Sequence, residues 1–287
     1  LTGRALHGGG ASTVTSTLRP GPDDGLGMRF FFPGFSAPLD FAALGRLRRS
    51  ARRATVLSED GAGGAILTPE HLLAAALFFA DAPLDVRCDA AEPPGLDGSA
   101  LPWFDLFRKT AGSGFTPGAR ERDLAISWAY EGPEGRLTAE PAPRFSVEYA
   151  LERGDFRSAY ALHAVDEAPR EVLPARTFIF HRDWKGLAGA RDLLAGADGD
   201  SGLLLAESAE DFAEARAAAR SAGLGLRGSV FPLLHPESAR FADEPARHKV
   251  LDLLGDLALG GPALPRLRLR IRNGGHALNH LLLERLQ

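Results

Sequence analysis

Twice along this chain, short stretches of alternating apolar and polar residues give way to segments of helical periodicity. Between the two runs lies a polar, glycine-containing stretch, Gly112 to Arg122. Alternation places every second side chain on one face of a sheet, and a 3.6-residue period builds one apolar stripe on a helix. Each run therefore has to bury its sheet face under its own helices. Runs of strands followed by helices argue for two α+β units rather than an alternating α/β fold. A length of 287 residues is enough for two cores of ordinary size.

In the first run, residues 11 to 35 read as short strands around Val14, Leu18, Met28 and Phe30, joined by a turn at Pro20-Gly21-Pro22-Asp23-Asp24-Gly25. The arginines 46, 48, 49, 52 and 53 read as a solvated helix face or loop. Thr68 suits an N-cap and Pro69 a first helical position, so a helix is expected from His71 to about Phe79. A strand at Leu84 to Cys88 and a helix over 101 to 111 close this half. In the second run, Leu124 to Tyr130, Arg136 to Thr138 and Phe145 to Leu151 alternate as strands. An Ala-rich amphipathic helix is expected over 205 to 222, and another from Glu244 to Leu259. A strand at Leu267 to Ile271 and a last helix from His276 follow.

Bulk properties exclude several functions. A net charge of −4 gives no basic face for a nucleic acid. No run reaches 18 apolar residues, so no transmembrane segment is expected. The single cysteine, Cys88, forbids an intrachain disulfide and a thiolate metal cluster, so any metal site must use His and carboxylate ligands.

Titratable residues concentrate in three places. His248, Asp252 and Asp256 recur every fourth residue and share one helix face, while Val250, Leu251, Leu254 and Leu257 make an apolar face opposite. Such a face could ligate a metal, although a plain helix-surface ion pair is by far the commoner use of this spacing. Glu70-His71 opens a helix, where adjacent side chains point about 100° apart and could serve one metal as base and as ligand. The alternative is a Glu favoured by the helix dipole beside a core histidine. His276 follows Gly274-Gly275, where the chain can approach a ligand closely; it could donate a proton to a leaving amine or be a loop histidine. His163, His181, His235 and His280 have no such setting.

Read together, five ordered blocks resemble the UDP-3-O-acyl-N-acetylglucosamine deacetylase family, the zinc hydrolases of lipid A biosynthesis. They are Thr68-Pro69-Glu70-His71-Leu72-Leu73-Ala74-Ala75, Leu96-Asp97-Gly98-Ser99-Ala100, Ala175-Arg176-Thr177-Phe178, Arg247-His248-Lys249 through Gly255-Asp256-Leu257, and Gly275-His276-Ala277-Leu278-Asn279-His280. Gly3-Arg4-Ala5-Leu6-His7 is a looser match. The resemblance implies two α+β domains of similar topology, each a sheet with two helices, with the helix layers packed between the sheets. It sets the division at 1–117 and 118–287, with an extra helical segment near 205–228 in the second.

It further implies Zn2+ held by His71, His248 and Asp252 at the domain interface, with Glu70 as general base and His276 as general acid, kept charged by Asp256. Thr177 and Lys249 would steady the oxyanion, and Phe178 and Asp183 would contact an acylated sugar nucleotide. A cytoplasmic monomer is expected. Three segments differ from the family pattern: Glu152-Arg153-Gly154-Asp155 replaces its uracil-contacting segment, Ala188 to Ser208 lacks its Gly-Ser stretch, and Asn273 replaces a basic residue. Alternatives are a zinc deacetylase acting on another N-acetylated sugar or acyl conjugate, and a non-catalytic paralogue that binds a precursor or a partner protein.

Overall fold

Residues 1–6, 10–20, 27–51, 54–59, 63–185, 202–221, 229–234 and 239–287 are described by a computed structural model of the chain. Residues 21–25 of the expected turn, Arg52, Arg53, His7, His235 and all of 186–201 and 222–228 lie outside the described residues.

In the first half, a four-stranded sheet orders Thr2–Arg4, Ala11–Leu18, Leu84–Cys88 and Arg29–Phe31. The strands at 11–18 and 29–31 do not form the hairpin their proximity suggests. Leu84–Cys88 inserts between them, antiparallel to the former and parallel to the latter. In the second half, a five-stranded sheet orders Phe156–Leu162, Ser146–Arg153, Leu267–Arg272, Gly135–Pro141 and Trp128–Gly132. The burial of Leu267–Arg272 alternates strictly, with Leu267, Leu269 and Ile271 inward and three arginines outward. Phe156–Leu162 was not anticipated, because Ala159, Tyr160 and Ala161 blur its alternation. A three-stranded sheet of Arg48–Ala51, Thr55–Ser58 and Ala65–Leu67 stands apart.

The described helices are α1 (Phe41–Arg46), α2 (Glu70–Ala76), α3 (Leu101–Ala111), α4 (Ala168–Glu171), α5 (His181–Lys185), α6 (Ala209–Ser221), α7 (Glu244–Leu257) and α8 (His276–Leu286). α3 lies on the first sheet and packs against α2, and α2 packs along α7. α7 in turn covers strands 146–153 and 156–162 of the second sheet and carries α8 at its side. α2, α3 and α7 are therefore layered between the two sheets, as the resemblance implied, and the fold is α+β. No described helix is long and apolar enough to cross a membrane.

Three local expectations are corrected. The arginine-rich stretch is not one solvated helix or loop: α1 ends at Arg46 and Arg48–Ala51 is an edge strand on Thr55–Ser58. Arginines alternating with small residues suit an edge whose outer face meets water. The Ala-rich segment starts as a buried strand, Leu203–Leu205, parallel to Phe178–Phe180, before α6 begins at Ala209. Thr68 does not cap α2. Its φ of 51° is left-handed, and its hydroxyl turns from the helix to Glu92 Oε1 at 3.1 Å. A β-branched residue is rare in that region. Here it forms the corner by which the chain leaves Leu67 and enters α2.

Candidate functional site

The packing of α2 along α7 creates the site. Val250, Leu251, Leu253, Leu254 and Leu257 of α7 are all buried, and each such side chain contributes roughly 1.5–3 kcal/mol. Gly255, between Leu254 and Asp256, lets the two backbones meet, since a β-carbon there would collide with the Glu70 carbonyl oxygen. Glycine inside a helix costs about 1 kcal/mol relative to alanine. That cost buys the close approach that sets Glu70 and His71 opposite His248 and Asp252.

Asp252 Oδ1 lies 3.3 Å from His248 Nε2 and 3.7 Å from His71 Nε2. The two imidazoles meet edge to face, centroids 4.9 Å apart. One donor atom from each of the three residues lies within 4.8 Å of the others. Four-coordinate bonds of about 2.0–2.2 Å place donors about 3.4 Å apart, close to the two distances to Asp252. His248 Nδ1 is 3.1 Å from the Ala175 carbonyl. Donation to that oxygen leaves Nε2 with a free lone pair, the usual arrangement for a metal-ligating histidine. Burial pushes His248 down to about 3 and so keeps the ring neutral. Burial alone would raise Asp252, but His248 and Lys249 outweigh it and hold the carboxyl well below its usual range. Lys249 Nζ donates to Asp252 Oδ2 at 2.9 Å and lies over the Phe178 ring. Two imidazoles and one carboxylate are a donor set suited to a single divalent cation.

Next to this set stand Glu70 and His276. Glu70 is buried; its Oε1 is 3.6 Å from His276 Nε2, and its Oε2 has no hydrogen-bond partner among the described residues. Burial raises its pKa. A buried carboxylate oxygen with nothing to bond is costly in a merely structural residue. His276 Nδ1 is 2.8 Å from Asp256 Oδ2. Burial disfavours the imidazolium, yet Asp256 and Glu70 more than compensate and raise His276 to about 9. Asp256 itself lies below its ordinary range: its burial is outweighed by His276 and His280.

The matching blocks without titratable chemistry turn out to be positioning devices. Asp97 Oδ1 accepts from the Ser99 amide and hydroxyl, forming a turn with Leu96 and Gly98 at positive φ. The Gly98 carbonyl accepts the Thr177 amide at 2.8 Å. Glu244 Oε1 accepts both the amide and Nε of Arg176 at the start of α7. The segment carrying Thr177 is thereby tied down from both sides, and Phe178 packs its ring edge-on to His248 at 6.1 Å. Asn273, which departs from the family pattern, has φ 54° and uses its side-chain oxygen to accept the Glu152 amide. Asparagine tolerates the left-handed conformation of that turn, where a longer basic side chain would be strained. Tyr149 hydroxyl donates to the Gly274 carbonyl at 2.6 Å and fixes the entry to α8.

The structure gives several further residues partners of their own, Asp183 first. Both its oxygens are held by Arg153, at 2.5 and 2.9 Å, while the same guanidinium reaches Glu207. His280, given no role from sequence, touches the acid through Thr55, whose hydroxyl is 2.9 Å from His280 Nε2 and 2.5 Å from Asp256 Oδ1. Sequence offered no sign of Thr55, a lone threonine in a short strand. For His280, its place one helical turn after His276 was a sign. His181, also unassigned, is buried against Asp211 of α6 at 2.7 Å.

A comparison with known sequences agrees with this arrangement. The profile of the UDP-3-O-acyl N-acetylglycosamine deacetylase (LpxC) family matches residues 1–214 and 229–287. The chain belongs to that family. The UDP-3-O-acyl-N-acetylglucosamine deacetylase of Anaeromyxobacter dehalogenans (strain 2CP-C) is 32% identical over 296 residues, covering 99% of this chain and 83% of that protein. The protein of that name from Myxococcus xanthus (strain DK1622) is 30% identical, over 100% of this chain and 83% of its own length. The interruption in the profile at 215–228 falls on the latter part of α6 and the residues after it.

Proposed function

We propose that this chain hydrolyses the acetamide of a UDP-3-O-acyl-N-acetylglucosamine-type substrate, releasing acetate in lipid A biosynthesis, with zinc held by His71, His248 and Asp252. The observation that carries the reading is the convergence of His71 from one half with His248 and Asp252 from the other, next to Glu70 and His276. Zinc, when bound, polarises the acetamide carbonyl and lowers the pKa of water towards neutrality. Glu70 takes the proton of the attacking water, whose oxygen forms the new bond to the carbonyl carbon. Thr177 and the Lys249 ammonium stabilise the negative charge that develops on the carbonyl oxygen. His276 gives its Nε2 proton to the sugar nitrogen as the carbon–nitrogen bond breaks, so that an amine leaves and acetate remains. Burial of Glu70 and the Asp256 partner of His276 suit these opposite duties, since they favour a stronger base and a persistent imidazolium at neutral pH.

In this reading Phe178 borders the substrate beside His248, and Asp183 contacts the nucleotide after exchanging its Arg153 partner. The domains divide near residue 117, and the enzyme works as a cytoplasmic monomer. Metal analysis of the purified protein, combined with turnover assays on the UDP-sugar with and without its acyl chain, tests the proposal. Bound zinc and activity that depends on the acyl chain are expected. Inactivity on the acylated UDP-sugar, with turnover of another acetamide, would overturn the substrate assignment. That outcome is the second reading, a zinc deacetylase of a different N-acetylated compound, and the Arg153 grip on Asp183 is what favours it.

A further inference from the structure

Resting on the deacetylase reading, we propose that Thr55 and His280 are positioning residues for the acid step. They fix the direction of every hydrogen bond around Asp256 and thereby keep the transferable proton of His276 on Nε2.

Asp256 is fully buried, and as a carboxylate it only accepts. Its Oδ2 receives the Asn279 amide at 2.8 Å and faces His276 Nδ1 at 2.8 Å. Its Oδ1 receives the Thr55 hydroxyl at 2.5 Å. A hydroxyl has one proton, and that proton is committed to Asp256. The 2.9 Å contact between Thr55 Oγ1 and His280 Nε2 can then form only if His280 is the donor. The chain of donation runs from His280 to Thr55 to Asp256, and His276 Nδ1 donates into the same carboxylate from the other side.

Asp256 thus has no proton to give back, so His276 keeps the proton on Nδ1 both before and after it acts. The proton that comes and goes is the one on Nε2, which faces Glu70 Oε1 at 3.6 Å. His276 Nδ1 is also 3.4 Å from Thr55 Oγ1, so the hydroxyl stands between the two imidazoles. Without it, His280 Nε2, already 3.7 Å from Asp256 Oδ1, would move onto that oxygen. Two rings would then share one carboxylate.

Thr55 is fully buried on a strand, where valine would be the cheaper choice. A hydroxyl taken from water costs free energy unless it is bonded. The hydroxyl also joins the two halves, because Thr55 belongs to the three-stranded sheet and Asp256 to α7.

The experiment compares the zinc-loaded wild type with Thr55→Val and Thr55→Ser, measuring kcat, KM and metal content. Thr55→Val is expected to lower kcat by about ten- to a hundredfold, the weight of a hydrogen bond to a charged group. KM and metal content should stay unchanged, and Thr55→Ser should retain near-wild-type turnover. In a His276→Ala background, Thr55→Val should add nothing, because the hydroxyl acts through that ring. Equal losses in both backgrounds, or wild-type turnover in Thr55→Val, would overturn the proposal.

Nitrogen NMR of the histidine rings decides the matter without turnover: the wild type should carry a proton on His280 Nε2 and on His276 Nδ1. A bare His280 Nε2 overturns the inference even if the enzyme is active. An inactive wild type with those two protons in place overturns the deacetylase reading instead.

Discussion

The centre around Asp252 and the cluster around Arg153 are both built from opposite charges, yet they are built differently. At the centre, Glu70, His71, His248, Asp252, Asp256 and His276 are all buried, and they come from α2, α7 and α8. Their charges do not cancel in simple pairs: Glu70 Oε2 is left without a partner, and His276 is held charged. In the Arg153 cluster, Arg153 and Asp183 are 35% and 38% exposed, and each charge is satisfied by its neighbour. Burial with unsatisfied capacity stores reactivity. Partial exposure with mutual pairing stores little energy and yields to solvent or to a ligand. The first arrangement suits bond breaking, and the second suits recognition, where partners exchange.

The largest effect that would test this contrast is Glu70→Ala. Turnover should fall by roughly 10²- to 10⁴-fold, the usual weight of a general base, while metal content holds. Unchanged turnover in a steady-state assay would remove the base from the mechanism. Gly255→Ala attacks the same centre through the backbone. Its β-carbon must push α7 away from the Glu70 carbonyl, and misplacement by about 1 Å can cost about 10²-fold in turnover. A matching drop in Tm is expected by calorimetry; wild-type values for both would mean that the helices can part harmlessly.

The third test is a pH profile. In the proposed mechanism activity needs Glu70 ionised and His276 protonated. It is lost on the acid side as pH falls through the raised pKa of Glu70, and on the alkaline side as pH rises through about 9 for His276. Asp256→Asn removes the charge that supports the imidazolium, so the alkaline limb should move to lower pH. A limb that stays in place would assign it to another group. The smallest effect belongs to the second region. Arg153→Ala breaks pairs that are more than a third exposed and screened by water, so the stability loss should stay within about 1 kcal/mol. KM should change more than kcat; a large fall in kcat would erase the distinction between the two regions.

Much of the centre was legible in the chain because its residues sit at spacings that only regular elements explain. His248, Asp252 and Asp256 recur at one helical turn, and Glu70-His71 follows a proline at a helix start. Local periodicity also marked α3, α7, α8 and the strands at 84–88 and 267–272. Thr55 and the Arg153–Asp183 pair were not legible, and His280 showed only as a ring one helical turn after His276. Thr55 and Asp256 are 201 residues apart, and Arg153 and Asp183 are 30 apart across a strand and a helix. Thr68 was misjudged for a related reason: composition favours a cap, but its partner Glu92 lies 24 residues on and draws the side chain away.

By itself, the order of residues determined which side chains share a helix face, where strands alternate, and that any metal would have to be held by nitrogen and oxygen ligands. Periodicity and composition are local properties, read within a few turns of chain. Only the packing of α2 along α7 decided that His71 faces Asp252, that Glu70 keeps one oxygen bare, and that a strand threonine bonds to Asp256. Those contacts join residues far apart in sequence, and they exist because burying two apolar helix faces between two sheets leaves one geometry in which the backbones can meet at Gly255.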